Sequence, residues 1–229
     1  MRVTHETTPM NRTRIVIIED DAFTRTMIAG ALQMQGLDVI GEASTVAPAI
    51  QMVERLKPDA IVVDLDLGNG PNGIDLAIAI RRKFPRIGIV ILTTYEDPRL
   101  LTPNISLPPA GSEYLIKRKI GEIGLLYDAI TKSIASAQTP NKNELIDKKK
   151  VYAMQNVSDS QLETMRLVAQ GLSNAQIARV KSITEKSVEQ SISRLVSHLD
   201  LPSGPTNNQR VQITKLYFQL TGAKSSNEN

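Results

Sequence analysis

Residues 14–21 have the sequence Arg-Ile-Val-Ile-Ile-Glu-Asp-Asp, an apolar run that ends in three consecutive acids. Four adjacent apolar residues without alternation are typical of a strand that is buried on both faces. The chain from Ala22 to Gln35 then carries apolar residues at helical spacing, and Gly36 is placed to end the helix. A buried strand followed directly by such a helix predicts the first unit of a parallel α/β sheet.

The same strand and helix rhythm repeats as far as Ile134. Further strands are predicted at 39–40, 60–63, 88–92 and 114–116, and further helices at 46–53, 74–83 and 123–134. The alternation indicates a doubly wound, five-stranded parallel sheet that is covered on both faces. Residues 97–113 break the rhythm, because their four prolines exclude an ordinary long helix. We expect a short or missing helix and an irregular loop there.

Composition excludes several classes of protein. The chain has 229 residues and no Cys, which excludes disulfides, thiolate metal sites and cysteine nucleophiles. Its two histidines, His5 and His198, are too few and too distant for a histidine zinc site. No apolar run approaches the roughly 18 residues of a membrane helix, and residues 1–12 lack the apolar core of a signal peptide. We therefore expect a cytoplasmic protein with no membrane contact.

The pattern changes after residue 136. Residues 137–156 are polar and predict a linker, whereas 157–222 show helical spacing only and predict a small all-α domain of four helices. Residues 1–12 and 223–229 are predicted to be tails. Up to Pro140 there are 15 Lys+Arg against 16 Asp+Glu, a net charge of −1, and beyond it 12 against 8, a net charge of +4. The basic excess favours contact of the C-terminal part with a polyanion.

Polar side chains follow four of the predicted strands. They are Glu19 and Asp20 after the first, Asp64 after the third, Thr93 after the fourth and Lys117 after the fifth. In a doubly wound sheet, ligands bind at the carboxyl ends of the strands. Crowded carboxylates repel one another unless a cation neutralises them, and Mg²⁺ prefers oxygen ligands. We expect a phosphoryl-transfer site that forms an acyl phosphate on Asp64.

Each of these residues also has a simpler explanation by itself. An acid after a strand often caps the next helix, Thr93 could be a capping hydroxyl, and Lys117 could be a solvated surface lysine. The sequence Asp64-Leu65-Asp66 also resembles the Asp-x-Asp motif of haloacid-dehalogenase-type phosphatases. Those enzymes carry the motif on the first strand and need an acidic pair after the lysine, whereas the acidic pair here precedes Asp64.

Residues 14–136 resemble the response-regulator receiver domain, which has a flavodoxin-like fold. The motifs are Ile17-Ile-Glu-Asp-Asp21, Val62-Val-Asp-Leu-Asp66, Ile91-Leu-Thr-Thr94 and Tyr114-Leu-Ile-Lys117. The resemblance implies that Asp64 accepts a phosphoryl group from a sensor histidine kinase. It also implies that Glu19, Asp20 and Asp64 bind Mg²⁺ together with the main-chain carbonyl of Asp66.

The resemblance assigns roles to three further residues. Thr93 and Tyr114 would form the pair that reports phosphorylation, and Lys117 would pair with the phosphoryl group. Two features depart from the family. The proline-rich residues 97–113 occupy the place of its fourth helix, and Arg118 follows Lys117 where many members have proline or an acid. The glycine-rich residues 68–73 suggest a mobile loop beside the acceptor.

Residues 157–222 resemble the LuxR-type (NarL/FixJ-like) helix-turn-helix domain. The residues that carry this resemblance are Leu162, Gly171-Leu-Ser-Asn174, Ile177-Ala178, Ser187-Val188 and Arg210-Val-Gln212. Ser173 or Asn174 is predicted to cap the scaffold helix, and Thr184 to cap a recognition helix near 185–198. Such a helix lies in the major groove of DNA. The candidate DNA contacts are Lys181, Lys186, Gln190, Ser193, Arg194 and Arg210.

Together the two resemblances imply a phosphorylation-switched transcriptional response regulator that binds promoter DNA. It would act as a switch rather than a turnover enzyme, and it would be a homodimer when active. Glu189 is unusual in a recognition helix, because it would face a polyanion, although glutamate can accept a hydrogen bond from cytosine. The alternative is a response regulator whose C-terminal helices serve mainly in protein–protein interaction or dimerisation, with weak DNA binding.

Overall fold

The structure, a computed structural model, describes residues 12–102, 105–119, 123–138, 154, 156–202, 204 and 207–222. The predicted tails, apart from Arg12, lie outside the described residues, and so does most of the predicted linker at 137–156. Those parts of the domain organisation stay predictions. None of the helices in the described ranges is both long enough and apolar enough to cross a membrane.

Five strands form a single parallel sheet in the order β2-β1-β3-β4-β5. The strands are β1 Arg14–Ile18, β2 Asp38–Ala43, β3 Ala60–Asp64, β4 Gly88–Thr93 and β5 Glu113–Ile116. In the described ranges they are accompanied by four helices: α1 Ala22–Met34, α2 Val46–Leu56, α3 Gly73–Lys83 and α4 Ile123–Gln138. The predicted doubly wound α/β fold is confirmed.

The three central strands are buried because their apolar runs leave no position suited to solvent. All of β3 and β4 is buried, as is β1 from Ile15 onward. β1 pairs with β3 in a register that sets Ile15 opposite Ala60 and Ile18 opposite Val63. The next residue along each strand is Glu19 and Asp64, so this register alone brings the two acids side by side.

The segment between β4 and β5 replaces an α-helix with one 3₁₀ turn, Pro98–Leu100, in its described part. Pro98 occupies the first position of the turn, where its missing N–H costs nothing. The Asp97 carboxylate accepts a hydrogen bond from the main-chain N of Arg99 at 3.1 Å. In the described part of this proline-rich stretch, the predicted short helix and irregular loop are present in place of a long helix.

Among the described residues of the C-terminal part there are four more helices: α5 Asp159–Ala169, α6 Asn174–Lys181, α7 Glu185–His198 and α8 Gln209–Thr221. The predicted caps are present, since the Ser173 hydroxyl accepts from Gln176 N and the Thr184 hydroxyl accepts from Ser187 N. Gly171 has a φ of 83°, which the turn between α5 and α6 requires. The helices pack around a cluster that includes Leu162, Met165, Ile177, Val188, Ile192, Leu195 and Ile213.

The contacts divide the chain into two compact units, whose limits differ from the domain boundaries predicted from the sequence. One unit comprises Met1–Ile91, Gly111–Glu113 and Glu122–Lys142. The other comprises Leu92–Ala110, Tyr114–Gly121 and Asn143–Asn229. By its contacts, the segment after β4 is therefore grouped with the C-terminal helices. The sequence alone places this segment in the α/β domain.

Candidate functional site

Three carboxylates meet where β1 and β3 end. Oxygen atoms from Glu19, Asp20 and Asp64 lie within 4.8 Å of one another. Glu19 and Asp64 are only 1% and 6% exposed, whereas Asp20 is exposed. Like charges this close repel strongly when partly buried, and the cluster therefore suits a divalent cation that takes oxygen ligands. The juxtaposition expected from the sequence is present, and the role of the three acids as metal ligands stays a prediction.

The third acid of the run after β1 has a different place. The Asp21 carboxylate accepts a hydrogen bond from Thr24 N at 2.7 Å and caps the start of α1. Asp20 accepts from the main-chain N of Asp21 at 2.9 Å. The structure thus separates a capping acid from the two acids that join Asp64.

Arg25 supports the loop that carries these acids. Its Nη1 atom donates to the carbonyl oxygen of Glu19 at 2.6 Å, and its Nε atom lies 3.5 Å from the Glu42 carboxylate. Sequence reasoning missed Arg25, because a basic residue in the first turns of a helix has no distinctive pattern. Its contacts fix the main chain of Glu19 without using the Glu19 carboxylate.

Helix α3 begins against the backbone of the proposed acceptor residue. Gly73 N donates to the Leu65 carbonyl at 2.8 Å. A Cβ atom at position 73 would overlap the carbonyl oxygen of Asp64 and would lie 2.9 Å from its carbonyl carbon. Asp66 N lies 3.4 Å from Asp64 Oδ1, as a donor to that carboxylate. The last glycine of the predicted mobile loop is therefore closely packed, and sequence reasoning missed its fit to Asp64.

The remaining predicted receiver residues lie in or directly after the neighbouring strands β4 and β5. Thr93 is the last residue of β4 and is fully buried, and its hydroxyl accepts from Tyr95 N at 3.1 Å. The half-buried Tyr114 of β5 donates its hydroxyl hydrogen to the Tyr95 carbonyl at 3.1 Å. Lys117 is half-buried and directly follows β5. Their roles in phosphorylation stay predictions.

Helix α7 presents one polar face and one apolar face. Val188, Ile192 and Leu195 are buried in the C-terminal cluster. The opposite, exposed residues follow helical spacing and comprise Lys186, Glu189, Gln190, Ser193, Arg194 and Ser197. This face carries four of the six predicted DNA contacts, and Glu189 lies among them.

The remaining two predicted DNA contacts are engaged inside the C-terminal unit. The Lys181 ammonium donates to the Ser160 carbonyl and to the Thr164 hydroxyl, the latter at 2.7 Å. Burial lowers the pKa of Lys181, and the nearby Glu163 carboxylate partly opposes this shift. The Arg210 guanidinium donates to Asn174 Oδ1 at 2.9 Å and also to the Leu172 carbonyl. Both side chains therefore have structural contacts that the sequence did not indicate.

Comparison with known families gives two matches along the chain. Residues 15–119 match the response regulator receiver domain. Residues 155–206 match the bacterial regulatory proteins of the luxR family. Fold and matches together define a two-domain regulator in which a receiver domain precedes a LuxR-type DNA-binding domain.

Similar proteins align with most of this chain. The nitrate/nitrite response regulator protein NarP of Escherichia coli (strain K12) is 29% identical over 96% of this chain and 99% of its own length. The oxygen regulatory protein NreC of Staphylococcus haemolyticus is 29% identical over 84% of this chain and 93% of its own. A solved RcsB structure with two dimers on two parallel DNAs is 21% identical, covers 92% of this chain and 100% of its own, and has a TM-score of 0.49. The chain belongs to the LuxR-type (NarL/FixJ-like) two-component response regulators, and the receiver interpretation is confirmed.

Proposed function

We propose that this response regulator is switched by phosphorylation of Asp64 and that its α7 helix binds promoter DNA. The donor would be a sensor histidine kinase. The observation that carries the proposal is the cluster of Glu19, Asp20 and Asp64, whose oxygens lie within 4.8 Å of one another. Such a cluster at the carboxyl edge of a doubly wound sheet is placed where ligands of this fold class bind.

The donor set fits a magnesium ion. Glu19, Asp20 and Asp64 would hold Mg²⁺ together with the main-chain carbonyl of Asp66, and all of these donors are oxygen atoms, as hard cations prefer. When bound, the ion neutralises the repelling carboxylates and offsets charge on the phosphoryl oxygens.

The side chain of Asp64 is the proposed nucleophile. One of its carboxylate oxygens attacks the phosphorus atom of a phosphohistidine, the P–N bond breaks, and an acyl phosphate forms. Asp66 N, 3.4 Å from Asp64 Oδ1, orients the carboxylate for this attack. The Thr93 hydroxyl would donate to a phosphoryl oxygen, and the Lys117 ammonium would offset its charge.

Labelling with a small phosphodonor tests the proposal. We expect acetyl phosphate to add one phosphoryl group to the purified chain when Mg²⁺ is present, and excess chelator to suppress the reaction to background, because unneutralised carboxylates repel the anionic donor. Intact-mass spectrometry measures the product, and back-addition of Mg²⁺ is the control for the chelator. Labelling that is equally fast without a divalent ion would contradict the proposed site.

The exposed face of α7 is the proposed DNA-binding surface. Lys186 and Arg194 would contact phosphates, while Gln190 has the amide geometry to pair with adenine. The sequence also predicts Lys181 and Arg210 as DNA contacts. To bind DNA, these side chains would have to release their hydrogen bonds within the C-terminal unit. The match to a DNA-binding family does not favour a domain restricted to protein–protein interaction. We propose that the active form is a homodimer, because helix-turn-helix dimers bind two half-sites.

Removal of either cation from the α7 face is expected to weaken DNA binding. Lys186→Ala and Arg194→Ala should each lower affinity for random-sequence duplex by several-fold and reduce the salt slope by about one. Lys215→Ala is the matched control, because Lys215 is an exposed cation on α8. Fluorescence anisotropy across a salt series measures both quantities. Equal losses in all three variants would show that only net charge matters and that α7 is not the DNA-binding surface.

A further inference from the structure

The segment that replaces the fourth helix of the family completes the core of the C-terminal unit. Leu100, only 2% exposed, lies in the same hydrophobic cluster as Val157 and Leu162. The partly buried Tyr95 packs against this cluster. Residues 94–102 are thus attached to the DNA-binding helices by side chains as well as by the grouping of their contacts.

A buried ion pair holds the segment in place. Asp97 is fully buried, and Arg99 donates to both of its carboxylate oxygens, at 3.0 and 2.8 Å. Asp97 also accepts from Met154 N at 3.2 Å. Arg99 also donates to the carbonyls of Met154 and Val157 at 2.7 and 3.0 Å, and to the Asp159 carboxylate at 3.1 Å. The pair therefore joins the segment to the turn that precedes α5 and to the first residue of that helix.

The carboxylates of Asp97 and Asp159 stabilise the positive charge of Arg99. Burial acts to lower the pKa of Arg99, but its hydrogen bonds and ion pairs with Asp97 and Asp159 outweigh burial and raise the pKa. Removing one member of a buried pair leaves the other charge uncompensated, which is strongly destabilising. The start of α5 therefore depends on a residue that lies 60 positions earlier in the chain.

The C-terminal end of α8 is contacted by Glu96, which belongs to the same segment, and by Arg118. The last carbonyls of a helix have no partner within the helix, and cations are favoured at this negative end. Here Glu96 N donates to the Leu220 carbonyl at 2.9 Å, and Arg118 donates to the Gln219 carbonyl and forms an ion pair with Glu96. Arg118 is the residue that departs from the family pattern after Lys117, and the structure gives it this capping role.

The same segment is tied to the switch threonine. Tyr95 N donates to the Thr93 hydroxyl, and the Tyr95 carbonyl accepts from the Tyr114 hydroxyl. Tyr95 thus lies between the two residues that the family resemblance assigns to switching and the hydrophobic cluster of the C-terminal unit.

We propose that residues 94–102 and Arg118 form a clasp that makes the stability of α5 and α8 depend on the bonding of Thr93. The clasp completes the C-terminal core and caps α8 while the Thr93 hydroxyl accepts from Tyr95 N. When the Thr93 side chain rotates so that its hydroxyl donates to an acceptor elsewhere, its oxygen moves away from Tyr95 N, the bond from Tyr95 N is lost and the clasp loosens. This regulatory step rests on the proposed function, because the phosphoryl group on Asp64 is the acceptor to which Thr93 would turn.

Hydrogen exchange of the full-length protein, measured by mass spectrometry, tests the clasp without phosphorylation. Arg99→Gln is expected to accelerate exchange in α5 and α8 by at least about tenfold, while β1 and β3 keep their rates. Arg118→Gln, at an exposed side chain that permits folding, should accelerate exchange at the end of α8 by roughly threefold. Arg82→Gln, an exposed residue of α3, is the matched control and should change neither helix.

A second pair of variants tests the link to Thr93. Thr93→Val keeps the shape but removes the hydroxyl, and it should accelerate exchange in residues 95–101 and at the end of α8, whereas Thr93→Ser should restore protection. Unchanged exchange in α5 and α8 for Arg99→Gln and Arg118→Gln would overturn the clasp. Unchanged exchange in Thr93→Val would overturn its coupling to the switch. Because no variant here requires phosphorylation, failure of Asp64 as acceptor would be recognised separately, by labelling.

Discussion

An Asp64→Asn chain is expected to gain no phosphoryl group from acetyl phosphate and Mg²⁺, under conditions that label the wild-type chain. The carboxylate supplies the attacking oxygen and one of the three charges that would hold the metal. An uncharged amide of the same shape supplies neither. Intact-mass spectrometry gives the extent of labelling, and borohydride trapping followed by peptide mapping locates the modified residue.

Asp66→Asn is the matched control for this prediction. The proposed contribution of Asp66 to the metal is its main-chain carbonyl, and an asparagine oxygen can still accept from Gly68 N, as the carboxylate does at 3.2 Å. Asp66→Asn should therefore retain most of its labelling. Labelling that survives in Asp64→Asn, or that disappears only in Asp66→Asn, would place the acceptor elsewhere.

Replacing Gly73 with alanine is expected to be the most destabilising change at the acidic site. The new Cβ would overlap the Asp64 carbonyl and lie 2.9 to 3.1 Å from the next backbone atoms, which cannot rotate away as a side chain can. Overpacking of this kind costs about 3 kcal/mol of the free energy of unfolding. Urea denaturation followed by circular dichroism measures the loss, and the absence of Trp makes circular dichroism the better probe.

Gly124→Ala separates this clash from the general effect of adding a methyl group. Gly124 lies in α4, and a Cβ atom there meets nothing within 4 Å. Alanine should stabilise that helix by about 0.5–1 kcal/mol. If both substitutions gave the same small change in stability, the close fit of Gly73 to Asp64 would be wrong.

The sheet was predictable because its central strands are continuous apolar runs. Ile15 to Ile18 and Ala60 to Val63 leave no polar position, and such runs occur in strands that are buried on both faces. β2 was less predictable: the sequence indicated only Val39 and Ile40, whereas the strand extends over Asp38–Ala43. An edge strand has one unpaired side and a half-exposed surface, and so it needs fewer apolar residues.

The acids of the candidate site were predictable from their positions after the strands, but their support was not. Glu19 and Asp64 become neighbours as soon as β1 pairs with β3 in the observed register. Arg25 and Gly73 act through main-chain carbonyls of the acidic loops. Contacts with main-chain atoms depend on three-dimensional approach and leave no pattern of residue types in the sequence.

The proline-rich segment was likewise predictable in its backbone but not in its side-chain contacts. Its prolines exclude a long helix, and that absence was predicted correctly. Charged residues are rarely fully buried, and so nothing in the sequence indicated that Asp97 would be buried or that Arg99 would bond to residues more than 50 positions away. Their partners are fixed by tertiary packing alone.

The central claim is that phosphorylation of Asp64 changes DNA binding by α7. The most direct measurement is the affinity of the full-length protein for duplexes selected from a random pool, with and without acetyl phosphate and Mg²⁺, at a fixed moderate salt concentration. We predict that phosphorylation, verified by mass, raises affinity roughly tenfold, as is typical of coupling between two sites, and that Asp64→Asn shows no such change. A fully phosphorylated wild-type chain that binds DNA no differently from the unmodified chain would contradict the account.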